Sequence, residues 1–352
     1  MRKIAQLSLA TLVAIASVGL ADDTRKLYRL ESALVIKSEN KISWDYLTYD
    51  PLHDYLYISR HADGILIYDA KAKKVIGSIE NSKGGNDTEL APDLDRGFVI
   101  NNDGSATLFQ HSTMKSLKRI PFGSNADSGT YDPVTKQIAI TMNDDGKIMY
   151  LDARDGAIKG ELKLDSKKIE GTAADGEGNM FSALRDRNMV VRVDAKAHRL
   201  TAQWPTTGCE LPNGLQYDGK NKRVFVSCRG DKPVLAVFDA ITGKVVATTP
   251  IGRGNDVLVW DAEARKLYTS NGYDGSLVII DQIDADTYKL SEATLTRPYA
   301  KTMALDPRTK RVYLVTAEGT VDATKPWRTE VAPFFPNTYF KDTFTLLTYA
   351  PQ

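Results

Sequence analysis

Charged and amide side chains recur five or six residues before an aspartate that repeats along the sequence at intervals of 39 to 45 residues. The repeating aspartates are Asp50, Asp93, Asp132, Asp175, Asp218, Asp261 and Asp306. The residues at the earlier position, which we call the entry ring, are Asp45, Asp87, Asp127, Glu170, Asn213, Asp256 and Lys301. Carboxylates gathered in this number need cations, arginines or water to offset their repulsion, so the pattern predicts a polar site.

Arginines and asparagines recur ten or eleven residues after the same aspartates, at Arg60, Asn143, Arg185, Arg229 and Asn271. Two interpretations stay open. Arginine–carboxylate pairs between repeats would neutralise the entry ring internally, which is a structural role. Alternatively, the same groups bind a ligand or a cation. A calcium-like ion would suit oxygen ligands, although the sequence contains no compact calcium-binding loop.

The repeat that carries these residues is clearest at 254–281, GNDVLVWDAEARKLYTSNGYDGSLVIID. Its apolar residues form three short strand-like runs separated by polar or glycine-containing turns. Three strands of this length cannot bury both faces alone, so the unit must stack on copies of itself. Seven copies without a helical period predict an all-β fold, a seven-bladed β-propeller of four-stranded antiparallel blades.

The two ends of the sequence each carry a lone strand-like run, at 28–37 and at 343–349. The seventh repeat lacks a third and a fourth strand of its own. We therefore predict that the run 343–349 supplies its third strand and that the N-terminal run closes the blade from outside.

Residues 1–21 have a basic start, an apolar middle and small residues before Asp22, which is typical of a cleaved secretory signal. Residues 22–352 are then predicted to be one propeller domain, periplasmic or secreted, with no membrane span. Removing Arg2 and Lys3 leaves 44 basic and 45 acidic residues, a balance that does not favour nucleic acid as a partner. We expect a monomer.

The two cysteines, Cys209 and Cys228, both fall in the fifth repeat. One precedes the first strand and the other ends the second, so antiparallel pairing brings them to the same end of a blade. In an oxidising compartment this placement predicts a disulfide, the alternative being two buried free thiols.

The repeats at 217–248, YDGKNKRVFVSCRGDKPVLAVFDAITGKVVAT, and at 260–281 resemble the YVTN, or YncE-like, β-propeller family of secreted bacterial proteins. The ending FTLLTY after a proline-rich segment is also similar to members of that family. The resemblance covers nearly all of 22–352 and implies the propeller fold. It implies no single function, because propellers host lyases, lactonases, redox partners and binding modules.

The segment 319–342 is a long insertion in the seventh repeat and contains Trp327, Phe334, Phe335, Tyr339 and Phe340. By topology it emerges on the same face as the entry ring. Long connections of this kind are often lids or binding loops. The alternative is that its aromatic residues cover the seam beside the closing blade.

The four histidines, His53, His61, His111 and His198, are scattered in the sequence, and only His61 maps to the face of the entry ring. This distribution argues against a histidine-rich zinc or haem site. The motifs C-x-x-C-H and G-x-S-x-G are also absent from the sequence. We predict no cofactor, with a bound divalent cation as the alternative.

These patterns predict a binding or interaction module for an unidentified small molecule or a periplasmic or secreted protein. The ligand face would combine the carboxylates and Asn213 of the entry ring with Arg60, Arg185, Arg229 and Trp327. Its carboxylates favour a cationic or polyhydroxylated ligand. One alternative is a lyase or hydrolase with a ring carboxylate as general base, and another is a partner protein of a periplasmic redox enzyme.

Overall fold

A computed structural model describes residues 26–143, 145–328 and 334–352. The predicted secretory signal at 1–21 lies outside the described residues. No helix in these three ranges is both long enough and apolar enough to cross a membrane. The described residues form β-strands joined by turns, with two short 3₁₀ helices at Pro92–Leu94 and Arg185–Arg187.

The strands are β1 Tyr28–Val35, β2 Leu47–Asp50, β3 Tyr55–Arg60, β4 Gly64–Asp69, β5 Lys74–Ser78, β6 Gly85–Ala91, β7 Arg96–Asn101, β8 Ser105–Gln110, β9 Ser116–Pro121, β10 Ala126–Asp132, β11 Gln137–Met142, β12 Lys147–Asp152, β13 Ile158–Lys163, β14 Ile169–Ala174, β15 Asn179–Leu184, β16 Met189–Asp194, β17 Arg199–Pro205, β18 Pro212–Asp218, β19 Arg223–Cys228, β20 Val234–Asp239, β21 Val245–Pro250, β22 Asn255–Asp261, β23 Lys266–Asn271, β24 Ser276–Gln282, β25 Tyr288–Leu295, β26 Met303–Leu305, β27 Val312–Thr316, β28 Gly319–Thr320, β29 Thr338–Tyr339 and β30 Thr345–Pro351.

Within the described residues these strands form seven four-stranded antiparallel blades and one small hairpin of β28 and β29. Blades 1 to 6 each take four consecutive strands, from β2–β5 in blade 1 to β22–β25 in blade 6. The inner strand of each blade begins on one face of the ring, which we call the entry face. The propeller predicted from the repeats is confirmed.

Blade 7 contains both ends of the described chain, in the strand order β26, β27, β30, β1. Strand β1 pairs antiparallel with β30 from Tyr28 opposite Pro351 to Val35 opposite Thr345. Residues of β30 are almost all buried, while most of β1 is exposed or half-buried, as expected of an outer strand. The predicted closure of the last blade by the N-terminal strand is therefore confirmed.

Six of the seven repeating aspartates, all except Asp93, accept backbone N–H groups in the turns between the first and second strands. The Asp50 carboxylate accepts the backbone N–H of Leu52 at 2.9 Å, and Asp218 accepts that of Lys220 at 3.0 Å. An aspartate bonds the backbone two residues on in this way because its side chain is short and acidic. The same turns contain a residue in the left-handed region, with φ of 52° to 58° at Asp54, Lys136, Lys222, Arg265 and Lys310.

The core lies between neighbouring blades. Phe225 of blade 5 is fully buried in one cluster with Leu267 and Ile280 of blade 6. Such a side chain contributes about 2 to 3 kcal/mol when it leaves water, a gain that no blade obtains alone. Stacking therefore fixes the ring and holds the first residues of the inner strands around the channel.

A disulfide joins Cys209 to Cys228, with their Cα atoms 5.3 Å apart. Both residues are fully buried. The bond ties the loop before β18 to the end of β19, and Arg229 follows it directly. The predicted disulfide is confirmed.

Candidate functional site

Four carboxylates of the entry ring converge on a cavity of about 310 Å³ on the entry face. Their neighbours in the wall of this entry cavity are cations, an amide and three aromatic residues. The lining consists of Asp45, Tyr46, Asp127, Asn143, Lys168, Glu170, Arg185, Arg229, Asp256, Tyr273, Lys301 and Phe335. The inner strands set this arrangement because each ring residue lies just before or at the start of one of them.

Lys301 joins two of the carboxylates. Its ammonium group contacts Asp45 at 3.0 Å and also hydrogen-bonds Asp256. Burial acts to lower the pKa of Lys301, but the two carboxylates raise it above its usual range. Arg229 contacts the other oxygen of Asp256 at 3.0 Å. Burial acts to raise the pKa of Asp256, yet Lys301 and Arg229 hold it at about 2. Asp256 is therefore an ionised, fully paired group.

Asn213 connects this trio to a second ion pair. Arg185 contacts Glu170 at 2.9 Å and donates to the Asn213 side-chain oxygen at 3.1 Å. The amide nitrogen of Asn213 donates to the Asp256 backbone oxygen at 2.9 Å. Burial raises the pKa of Glu170, while Arg185 acts to lower it. Internal neutralisation, the first of the two interpretations above, thus describes Asp45, Glu170 and Asp256.

Asp127 is the exception. Asn86 donates to its side-chain oxygen at 3.2 Å and to its backbone oxygen at 2.9 Å. Within the described ranges, no lysine, arginine or histidine forms an ion pair with its carboxylate. Burial, reinforced by repulsion from Glu170, raises the pKa of Asp127 well above its usual value. The cavity therefore favours the protonated acid at this position, which can donate a hydrogen bond.

Several donors of the cavity are not engaged by the protein. Lys168 forms no ion pair among the residues that the structure describes. The Nε–H groups of Arg185 and Arg229 are buried and have no hydrogen-bond partner in the described chain. A buried donor without a partner costs about 1 to 3 kcal/mol, so an acceptor that reached either Nε–H group would be stabilised.

Four predicted site residues do not line this cavity: Asp87, Asn213, Arg60 and Trp327. Asp87 accepts the backbone N–H of Thr88 at 2.8 Å and of Gly129 at 3.0 Å, and burial raises its pKa to about 6. Arg60 is fully buried, pairs with Asp63 at 3.0 Å and stacks 4.3 Å above the Phe344 ring. Asp87 and Arg60 were both predicted to belong to the ligand face, but in the structure each side chain braces the fold.

The segment 319–342 reaches the entry cavity through Phe335 and not through Trp327. Phe335 makes edge contacts with Tyr299 and Tyr273, at 5.9 and 6.4 Å between ring centroids. Trp327 instead stacks on Phe334 at 5.7 Å, outside the cavity lining. Tyr339 packs against Trp44 at 5.0 Å. The segment therefore both contributes one cavity residue and covers the core beside the closing blade.

Tyr46, Lys168, Tyr273 and Phe335 line the cavity but were not predicted from sequence as site residues. Tyr46 follows Asp45 directly. Burial raises the pKa of Tyr46 well above its usual value, and the four cavity carboxylates act in the same direction. The one sequence signal for Tyr46 is that it stands next to a residue of the entry ring.

His61 does not line the cavity but supports it through a contact with Asn86. Its Nε2 lies 2.8 Å from the side-chain oxygen of Asn86, the residue that donates to Asp127, and its Nδ1 lies 2.7 Å from Ser43. Burial lowers the pKa of His61, and the ring orients Asn86 through the Nε2 contact.

The fold and the cavity define this protein as a seven-bladed β-propeller with a charged pocket at one mouth of its channel. A chain of the mitotic checkpoint complex has the same fold, with a TM-score of 0.70 and 14% identity over 89% of this chain and 95% of that chain. A chain of hydrazine synthase from Kuenenia stuttgartiensis aligns with a TM-score of 0.66 and 15% identity over 88% and 96% of the two chains. No protein-family model and no curated protein matches the sequence. At these identities the likeness establishes the fold alone.

Proposed function

We propose that the protein is a periplasmic or secreted binding module and that its ligand occupies the entry cavity. The resemblance of the repeats to the YVTN family, the signal-like sequence at 1–21 and the disulfide support this location. The proposal rests on the donors of the cavity that have no partner in the described chain, which are the Lys168 ammonium group and the Nε–H groups of Arg185 and Arg229. The carboxylates Asp45, Glu170 and Asp256 are already paired with cations.

The ligand is a small polar molecule with an anionic group. Asp45, Glu170 and Asp256 already have cationic partners, so the cavity offers no free negative charge to a cation. Lys168 supplies an unpaired positive charge, and protonated Asp127 supplies a donor. A hydroxylated acid satisfies these donors best, because charge-assisted hydrogen bonds to a carboxylate are the stronger ones. Phe335 and Tyr273 add apolar ring surface to the lining of the same cavity.

Lys168 and its neighbour Lys167 give a matched test. Lys168 lines the cavity, whereas Lys167 is exposed. We would measure thermal shifts of wild type, Lys168→Gln and Lys167→Gln with malate, citrate, gluconate and galacturonate. We expect at least one acid to stabilise wild type and Lys167→Gln, and Lys168→Gln to lose that shift. Equal shifts in both variants, or none in wild type, would refute the proposal.

The raised pKa of Asp127 supports a second candidate, an enzyme in which this carboxyl is the general acid or base. Asp127→Asn separates the two functions. The amide keeps the hydrogen-bonding shape of the protonated acid but cannot transfer a proton. A binding module keeps its ligand affinity in this variant, whereas an enzyme keeps affinity and loses turnover of the bound acid.

A further inference from the structure

A second cluster of polar side chains lies on the face opposite the entry cavity, between blades 1 and 2. The Asp50 oxygen Oδ2 contacts His53 Nδ1 at 2.6 Å and His111 Nε2 at 2.7 Å. The three atoms all lie within 4.8 Å of one another. Asp50 ends β2, His53 is in the turn that follows, and His111 comes directly after β8. The separation of 61 residues between Asp50 and His111 hides this cluster in the sequence, where the histidines are scattered.

The fold does not need histidine at these positions. In blades 5 and 6 the equivalent Asp218 oxygen accepts Asn221 at 2.7 Å and Gln282 at 2.8 Å. The hydrogen bonds to Asp218 therefore match those to Asp50, except that two amides take the place of the two imidazoles. The residues equivalent to His111 in the other blades of this repeat pattern are Ala70, Ala153, Ala195, Ala240 and Gln282. Bracing the blades therefore does not explain why blades 1 and 2 carry two imidazoles.

Imidazole differs from an amide chiefly in that its ring nitrogen binds transition metals. Two histidines and one carboxylate, with an open fourth position, are a donor set that Zn²⁺ takes in proteins. Asp50 and His111 are buried, whereas His53 keeps 28% of its side chain exposed. The exposed side leaves room for a water as the fourth ligand. Leu52 N–H holds the other Asp50 oxygen at 2.9 Å, which would orient the carboxylate as a metal ligand requires.

We propose that Asp50 Oδ2, His53 Nδ1 and His111 Nε2 form a binding site for a divalent transition-metal ion of the Zn²⁺ type. Ligand atoms about 2.1 Å from a tetrahedral ion stand about 3.3 Å apart, so the atoms must separate by about 0.6 Å. His53 lies in a turn and can make this movement. The metal replaces the two hydrogen bonds between the imidazoles and Asp50, and each imidazole then carries its proton on the ring nitrogen that does not bind the metal.

The brace of blades 5 and 6 supplies the matched variant, His53→Asn/His111→Gln. This double variant keeps two donors to Asp50 and removes both metal-binding nitrogens. The control is His198→Gln, since His198 stacks on Tyr150 in another part of the ring. The full-length protein would be freed of metal with a chelator and titrated with Zn²⁺ by calorimetry and with Co²⁺ by visible absorption.

We expect wild type and His198→Gln to bind one ion per chain, with the Co²⁺ absorption of a four-coordinate site. The double variant should bind Zn²⁺ more than about 100-fold more weakly, because changes behind a metal ligand already cost 10- to 100-fold. Should the double variant fail to fold, His111→Ala takes its place, since alanine occupies that position in other blades. Equal affinity of variant and wild type, or no stoichiometric binding by wild type, would overturn the proposal.

Discussion

Removing the Lys301 ammonium is the most informative perturbation of the entry cavity. Lys301→Met keeps an unbranched side chain, one atom shorter, and deletes the charge that contacts Asp45 and Asp256. Asp256 retains Arg229, but Asp45 loses its cationic partner. The two carboxylates then face each other across the space that the ammonium group filled.

The expected loss of unfolding free energy is about 3 to 5 kcal/mol at pH 7. Two oxygens that share one ammonium group are at most about 6 Å apart, since each hydrogen bond is about 3 Å long. At an effective dielectric constant of about 20, their repulsion is about 3 kcal/mol. Removing one partner of a buried ion pair typically lowers the free energy of unfolding by about 3 to 5 kcal/mol, which agrees with this repulsion.

The loss should depend on pH in a definite direction. In wild type, Lys301 and Arg229 hold the pKa of Asp256 at about 2, below its value in the unfolded chain. The stabilisation from this pairing is present above about pH 4 and is lost as the pH falls toward 2. In Lys301→Met, Asp45 takes up a proton more readily, so acidification to pH 4.5 relieves the repulsion. The deficit relative to wild type should therefore shrink between pH 7 and pH 4.5.

Urea unfolding followed by tryptophan fluorescence measures this difference. Lys341→Met is the control, because Lys341 pairs with Glu39 on the surface at 2.6 Å, where solvent screens the pair, so its removal should leave urea unfolding nearly unchanged. The double variant Lys301→Met/Asp45→Asn should recover most of the loss, since Asp256 keeps Arg229. A loss below about 1 kcal/mol in Lys301→Met, a loss independent of pH, or no recovery in the double variant would contradict the reasoning.

Three further predictions concern the fold. Burial raises the pKa of Glu89 from 4.5 to about 8, so the stability of wild type falls as the pH rises through this range. Glu89→Gln should match wild type near pH 4.5 and exceed it by about 4 kcal/mol at pH 8 in urea titrations, since each unit of pKa shift is worth about 1.4 kcal/mol. Replacing Cys209 and Cys228 with serine should cost about 3 kcal/mol because the bond closes a 19-residue separation, and unchanged urea midpoints would rule this out. Deleting residues 22–35 removes the outer strand of blade 7, so calorimetry should show a sharply lower melting temperature, and unchanged melting would refute the role of that strand.

The blades and their closure were predictable because they depend on backbone periodicity. Alternating apolar runs and the turn aspartates recur at a fixed spacing, and a strand without neighbours at each end of the sequence implies a shared blade. The disulfide was predictable from the antiparallel pairing of the first two strands of the fifth repeat, which brings Cys209 and Cys228 to the same end of a blade. The positions of Asp45, Glu170 and Asp256 around the channel followed too, since each has the same place relative to an inner strand.

Side-chain direction was not predictable in the same way. Arg60 and Arg229 occupy related positions near the end of a second strand, yet Arg60 turns onto Phe344 and Asp63 while Arg229 reaches Asp256. An arginine has enough torsions to choose among several partners, and its neighbours in space decide. The cluster of His53 and His111 with Asp50 was not predictable for a second reason. A contact between two blades brings these residues together, and no local sequence pattern relates them.

The shared blade also constrains the order in which the chain can fold. Strand β1 pairs with β30 over more than 300 residues of intervening sequence, since Tyr28 lies opposite Pro351. Until β30 and β1 pair, blade 7 is incomplete and the other six blades can stack only as an open arc, whose two end blades each expose one sheet face. Contacts this distant in sequence slow folding, and open edges invite pairing with other chains. The last step of ring formation therefore covers the strand edges and sheet faces that an incomplete ring leaves open to other chains.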